Sequence, residues 1–317
     1  MTSTDATPSL ATGQLDRART LAIPNREAML RRDPSVGQFW LENQQLLESA
    51  WQEWEASELG EVARPDSSLL DPDLRTAVEQ AWEDPSTDAA VRALLHESAP
   101  NVYSFQFFDP ARLVEFRAYL RQVWDAQIPL RPPYGILLNR GGAMLDRRSE
   151  GYLAAPSFQS FYQDLMDTYM RPIARLLFPA IAGFDTQTFG FSINYKPTTE
   201  TSIRPHTDAS SVTLNINVNV PGEAFTGSTV DFYDQASDQV NALTFEPGTA
   251  MIHRGDVPHT AQPITSGERT NLVLWLFGDR GQVPRFPFGA TPTAVPSLAA
   301  HDRWVVPDTE QDGHAPF

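Results

Sequence analysis

Apolar and polar positions divide the chain into stretches of different period. Between Val36 and Leu59 the residues Val36, Phe39, Trp40, Leu46, Leu47, Trp51 and Trp54 recur at three- and four-residue steps, which predicts an amphipathic helix with a broad apolar stripe. Asp71-Pro72 and Ser86-Thr87-Asp88 read as N-caps of two further helices, at 73–83 and 88–97. From Asn101 the texture changes. Val102–Phe105 reads as a short strand and 110–125 as a helix with Leu113, Phe116, Leu120 and Trp124 on one face. A Pro/Gly-rich loop, RPPYGILLNRGG, precedes another helix over 157–177. From Thr188 to Phe277 the helical period is gone, and short strands at 188–196, 211–220, 229–233, 241–245, 249–253 and 270–277 are split by turn signals. That spacing predicts an antiparallel sandwich or jelly roll. The expected class is α+β: a jelly-roll core at 188–277 within a domain at 101–280, a helical N-terminal extension at 1–100, and a Pro-rich, extended tail at 281–317.

One strand carries more information than the others. In Val212–Val220 the alternation is unbroken, with Val212, Leu214, Ile216, Val218 and Val220 on one face and Thr213, Asn215, Asn217 and Asn219 on the other. A half-buried strand with a solvated polar face would satisfy this pattern. Asparagine has low β-propensity, however, and a polar cavity needing amide donors explains three of them better.

Composition narrows the chemistry. The 317 residues carry a formal charge of −16 and no cysteine, which excludes disulfides, thiolate metal sites and cysteine nucleophiles. Acidity argues against nucleic acid as a general partner. Residues 1–100 hold 18 Asp/Glu against 8 Arg, so most of the charge lies outside the strand-rich region. No apolar run suits a signal peptide or approaches the ~20 residues of a membrane span, so a cytoplasmic protein without membrane contact is expected.

Any metal must then be held by His, Asp or Glu, and there are only six histidines. His206-Thr207-Asp208 places an imidazole and a carboxylate on the same side of an extended chain. A third ligand must come from another strand, and His253 and His259 are the candidates. Two imidazoles and one carboxylate on one face of an octahedron form the facial triad of non-haem iron(II) oxygenases. His259 follows Asp208 by 51 residues and Arg269 follows His259 by ten. An Arg guanidinium at that place can hold the far carboxylate of a diacid in two parallel hydrogen bonds. His96 is expected on a helix surface, His301 and His314 in the tail, and Asp256 and Asp231 at a turn and a strand face.

The segments INYKPTTETSIRPHTDASSVTLNINVN, FTGSTVDFYD and PGTAMIHRGDVPHTAQPITSGERTNLVLWLFG resemble the core of the iron(II)/2-oxoglutarate-dependent dioxygenases, in the procollagen lysyl hydroxylase and prolyl 4-hydroxylase-like branch. RPPYGILLNRGGAMLD and the helix ending MRPIARLLFP resemble the lead-in of these domains more loosely. The resemblance covers residues 101–280 and implies a double-stranded β-helix. It implies that His206, Asp208 and His259 bind iron(II), and that Arg269, Tyr195 and Asn215 bind 2-oxoglutarate. Dioxygen is the second co-substrate and ascorbate a candidate reductant. The family commonly has Gly-Gly where this chain has Gly227-Ser228. A secretory collagen-modifying enzyme would need a disulfide framework, so the substrate does not carry over.

The expected activity is hydroxylation, or another oxidation, of an unactivated C–H of a small molecule such as an amino acid or peptide-derived metabolite, with release of succinate and CO2. Asp208 argues against halogenation, because related halogenases lack this carboxylate. The alternatives are a protein or peptidyl hydroxylase, a dioxygenase that does not use 2-oxoglutarate, and a non-catalytic jelly-roll binding domain. Arg204, Thr213 and Asn217 are the candidate substrate or pocket residues.

Overall fold

The computed structural model describes residues 13–131, 143–144, 155–198, 202–234, 236–278 and 298–305. In its first part the apolar stripe is what folds. Asp33 caps the helix α3 (Pro34–Ser57), with Pro34 at its first position, and Val36, Trp40, Leu47, Trp51 and Trp54 are buried. Two short helices, α1 (Gln14–Arg19) and α2 (Arg26–Leu30), precede it. Asp71 caps α4 (Pro72–Glu83) through the N–H groups of Asp73 and Leu74, as its sequence predicts.

The expected helix at 88–97 is corrected by the structure. The helix α5 covers only Ala89–Ala93, and Asp88 makes no cap hydrogen bond. Instead His96–Ala99 is a strand, β1, paired antiparallel with β2 (Val102–Gln106) across a turn in which Asn101 takes a positive φ of 60°. Asparagine tolerates that conformation, so Pro100-Asn101 reverses the chain where a helix was expected to end. His96 accordingly lies on a strand, and β1 places the start of the sheet before residue 101.

After α6 (Leu113–Asp125), a long helical segment runs through α7 (Pro156–Asp164), a π-helical stretch at Leu165–Met170, and α8 (Arg171–Leu177). The strands are β3 (Ala143–Met144), β4 (Gln187–Tyr195), β5 (Ile203–His206), β6 (Val212–Asn217), β7 (Thr226–Gly227), β8 (Val230–Asp234), β9 (Gln239–Leu243), β10 (Thr249–Arg254), β11 (His259–Ala261), β12 (Ile264–Ser266) and β13 (Arg269–Phe277). They form a seven-stranded sheet in the order β1-β2-β10-β6-β13-β4-β3 and a four-stranded sheet in the order β5-β11-β8-β9, with β12-β7 as a small ribbon. From β4 onward the chain passes back and forth between the two main sheets, with β8 and β9 as a hairpin within the smaller one, which is a double-stranded β-helix. The strand expected at 241–245 lies at 239–243, and the one expected at 211–220 ends at Asn217.

Both faces of the larger sheet are covered. On its outer face Val212, Leu214, Ile216, Leu272, Leu274 and Ile252 belong to the main core, together with the residues of α3, α6 and the α7–α8 segment. Gly190 of β4 is part of this fit, since a Cβ there would stand 2.7 Å from the Tyr162 ring of α7. The other face looks onto the smaller sheet, and this interior holds the chemistry. The tail is not wholly extended: Ala300–Arg303 forms α9, where Arg303 pairs with Asp88 and Trp304 packs edge-on against Trp82. Most of RPPYGILLNRGG and His314 lie outside the described residues. Among the described residues, no helix is long and apolar enough to cross a membrane.

Candidate active site

The register of the smaller sheet assembles the first cluster. β5 and β11 pair antiparallel with His206 directly opposite His259. Asp208 follows two residues after His206, and its N–H donates to the Gly255 carbonyl at 2.9 Å. Gly255 has no alternative there, because a Cβ would lie 1.9 Å from the Ser210 carbonyl oxygen. The ligand atoms of His206, Asp208 and His259 all lie within 4.8 Å of one another. His206 Nε2 is 3.5 Å and His259 Nε2 3.8 Å from Asp208 Oδ1. An octahedral edge with bonds of about 2.1 Å is about 3 Å long, so a small inward movement would let all three share one cation.

Their orientation is set from behind. His206 Nδ1 is 2.7 Å from the Arg204 carbonyl and His259 Nδ1 3.0 Å from the Val257 carbonyl. A carbonyl accepts only, so each Nδ1 carries a proton and each Nε2 is the ring nitrogen turned toward the cluster. Thr213 Oγ1 donates to Asp208 Oδ2 at 2.5 Å, which leaves Oδ1 toward the imidazoles. Burial alone would raise the Asp208 carboxyl, but the His206 hydrogen bond, the neighbouring His259 and His253, and Thr213 outweigh it and hold the group well below the usual carboxylate range. Burial pulls His259 below its ordinary value. It works against His206 too, but the Asp208 carboxylate outweighs it there and the net shift is upward.

His253 stands apart from this cluster. It sits on β10 opposite Thr213, its Nδ1 faces the Arg254 carbonyl, and its Nε2 is 4.0 Å from Asp208 Oδ2, the oxygen that Thr213 already holds. Burial and the nearby His259 bring it down to about 4, so it is a neutral imidazole packed on Phe232.

A second cluster lies farther along the interior of the larger sheet. Tyr195 and Arg269 are register partners on β4 and β13. The Arg269 guanidinium lies 4.4 Å over the Tyr195 ring and 5.2 Å from that of Phe245, and its Nη1 donates to the Ser228 carbonyl at 2.6 Å. The residue is 1% exposed and its Nε has no hydrogen-bond partner. Desolvation lowers the guanidinium from its ordinary value and raises the Tyr195 phenol. An arginine nevertheless keeps its charge, so a buried cation with one unpaired N–H stands in this second cluster.

A cavity of about 360 Å³ joins the two clusters, lined by His206, Asp208, His259, Thr213, Asn215, Tyr195 and Arg269 among others. Thr213 is thus both a wall of the cavity and the support of Asp208. Asn217 is not on the wall: it is fully buried and bonded to Asn219, Asn271 and the Thr270 carbonyl. Arg204 does not line the cavity either, and its side chain is exposed. The cause is a bulge, since three steps from Ile203 to His206 oppose two from His259 to Ala261. The additional residue turns Ile203, rather than Arg204, onto the cavity face. The apolar walls Phe191, Ile193, Val273 and Trp275 were not among the expected site residues. Counting back by twos from Tyr195 and forward by twos from Arg269 would have found them.

Residues 187–278 match the family model of the 2OG-Fe(II) oxygenase superfamily. It is 29% identical over 58% of its length to the 2-oxoglutarate and iron-dependent oxygenase domain-containing protein ICU11 of Arabidopsis thaliana, covering 47% of that protein. It is 30% identical over 66% of its length to the 2-oxoglutarate and iron-dependent oxygenase domain-containing protein 2 of Xenopus tropicalis, covering 58% of it. The multifunctional procollagen lysine hydroxylase and glycosyltransferase LH3 of Rattus norvegicus is 30% identical over 59% of this chain and 24% of its own. The chain spans about half the length of the first two relatives.

Proposed function

We propose that the protein is an iron(II)- and 2-oxoglutarate-dependent dioxygenase that hydroxylates a C–H bond of an amino acid or a peptide-derived small molecule. One observation carries the reading. An imidazole–carboxylate–imidazole face with both Nδ1 atoms tied to carbonyls shares a cavity with a buried arginine whose Nε is unpartnered. The donor set suits iron(II): two neutral nitrogens and one carboxylate, no thiolate, and further positions open to the cavity. His206, Asp208 and His259 would hold the ion, and Arg269 would take the far carboxylate of 2-oxoglutarate with Tyr195 and Asn215 beside it.

When bound, the ion supplies oxidation of a C–H bond by dioxygen, coupled to conversion of 2-oxoglutarate into succinate and CO2. The protein's own contribution is placement. Thr213 keeps Asp208 turned by one oxygen toward the imidazoles, and the two carbonyls keep the rings from rotating. Ile203, Val230, Ala261 and Trp275 give the remaining wall an apolar surface, suited to an alkyl group and to the exclusion of water. A second reading, a residue of a peptide or protein as substrate, is favoured by the likeness to a procollagen lysine hydroxylase.

The test is aerobic incubation with iron(II), 2-oxoglutarate and ascorbate against panels of amino acids and short peptides. Succinate and a product heavier by one oxygen atom are expected. Absence of succinate, together with absence of a visible charge-transfer band when iron(II) and 2-oxoglutarate are added anaerobically, would overturn the assignment. Product only from peptides would favour the second reading.

A further inference from the structure

The buried asparagines behind the cavity form a chain whose polarity can be read from its backbone anchors. Asn219 Oδ1 accepts from the Thr270 N–H at 2.8 Å, while its Nδ2 donates to the carbonyls of Glu268 at 2.6 Å and Glu223 at 3.1 Å. Asn217 Oδ1 accepts from the Asn219 N–H at 3.2 Å, so its Nδ2 is the donor to the Thr270 carbonyl and, at 3.0 Å, to Asn271 Oδ1. Asn271 then has only its Nδ2 left to meet Asn215, which it does at 2.6 Å on Oδ1. Backbone N–H and C=O groups cannot exchange roles, so no amide in the chain can be turned over without setting donor against donor or acceptor against acceptor.

The consequence appears at the cavity wall. With Oδ1 held by Asn271, Nδ2 is the amide atom that Asn215 has left to offer the cavity it lines. The strand register also places it usefully. Thr213 opposite Trp275, Asn215 opposite Val273 and Asn217 opposite Asn271 are successive rows of the interior face, with Arg269 next along β13. Asn215 therefore stands between the hydroxyl that supports Asp208 and the arginine. A diacid stretched from one to the other presents only acceptor oxygens at neutral pH, so a donor fits this row and an acceptor would oppose it.

We propose that Asn271 and Asn217 are positioning residues, which hold Asn215 as an obligate hydrogen-bond donor to 2-oxoglutarate. This inference rests on the proposed use of the cavity by that co-substrate. The test is a double-mutant cycle on Asn215→Leu and Asn271→Leu, read as the dissociation constant of 2-oxoglutarate from Mn(II)-loaded protein, where no turnover occurs. Asn215→Leu should weaken binding about tenfold and Asn271→Leu about fivefold, as expected for a lost bond to a charged group and for a lost orientation. In the double variant the loss should equal that of Asn215→Leu alone, and Mn(II) affinity should be unchanged throughout.

Wild-type binding by Asn271→Leu would overturn the proposal, as would a full additional loss in the Asn215→Leu background, since the residue would then act elsewhere. Should Asn271→Leu fail to fold, Asn271→Ser removes the amide without adding apolar bulk and runs the same cycle. If the Mn(II)-loaded wild type binds no 2-oxoglutarate, the functional assignment falls and this inference with it. If it binds and the cycle shows no coupling, only the relay is refuted.

Discussion

The two faces of β6 do opposite work, the outer one wholly buried and the inner one buried save for the half-buried Asn215. Val212, Leu214 and Ile216 on the outer face meet the helices through dispersion and burial alone. Thr213, Asn215 and Asn217 on the inner face are held almost entirely by hydrogen bonds with defined direction. Apolar packing fixes where the strand lies but tolerates a range of groups. A network of directed bonds fixes which atom points where. The same alternation that makes a strand thus separates the stability of this domain from its chemistry, residue by residue.

The strongest way to break that separation is to remove one inner contact and one outer contact and compare. Asp208→Ala should lower succinate formation per folded molecule at least about 10³-fold, an effect of ~4 kcal/mol on the reaction, with a cooperative urea melt retained. Leu214→Ala should do the reverse, costing about 2–5 kcal/mol of unfolding free energy through the cavity it leaves, with the rate per folded molecule unchanged. A clear change in 2-oxoglutarate affinity for Leu214→Ala would show that outer packing transmits to the site, and the comparison would fail.

Much of this was legible in the sequence because it is local. The period of β6, the His206-x-Asp208 pair, and Tyr195 and Arg269 on long strands need no knowledge of neighbours. What was not legible depends on pairing. β11 has three residues and β5 four, too few to show a period, and the bulge between them is what turns Arg204 outward. β1 reads as the end of a helix until its partner β2 is known. Asn217 looked like a wall residue because its alternation matches Asn215. Its partner Asn271 comes from a strand 54 positions away, and only that contact shows that the amide is spent inside the sheet.

Within the inner face, the metal end and the arginine end can also be set apart. Arg269→Lys keeps a positive charge but loses the planar fork of the guanidinium. The dissociation constant of 2-oxoglutarate should rise about 10- to 100-fold, or ~1.4–2.8 kcal/mol. Mn(II) affinity, measured by calorimetry, should not change, because no ligand atom of the triad touches this side chain. A parallel loss of Mn(II) binding would mean that the two clusters are coupled rather than separate.

The smallest effect should fall on Thr213, and it tests whether the separation holds within a single side chain. Thr213→Val keeps shape and β-propensity and removes only the hydroxyl that donates to Asp208 Oδ2 and is bonded to Ser210. Asp208 would lose the bond that fixes its rotation, and Mn(II) affinity should fall about tenfold, at the low end for partners that orient a metal ligand. The urea midpoint should stay near that of wild type, since the methyl groups still fill the row beside Trp275 and His253. Thr213→Ser, which restores the donor but not the methyl, should recover Mn(II) binding even if it lowers stability. Hydroxyl and methyl would then be shown to serve different ends of the same comparison. Equal metal affinity in the Val and Ser variants would instead make Thr213 a packing residue, and Asp208 would have to owe its orientation to the His206 and Gly255 contacts alone.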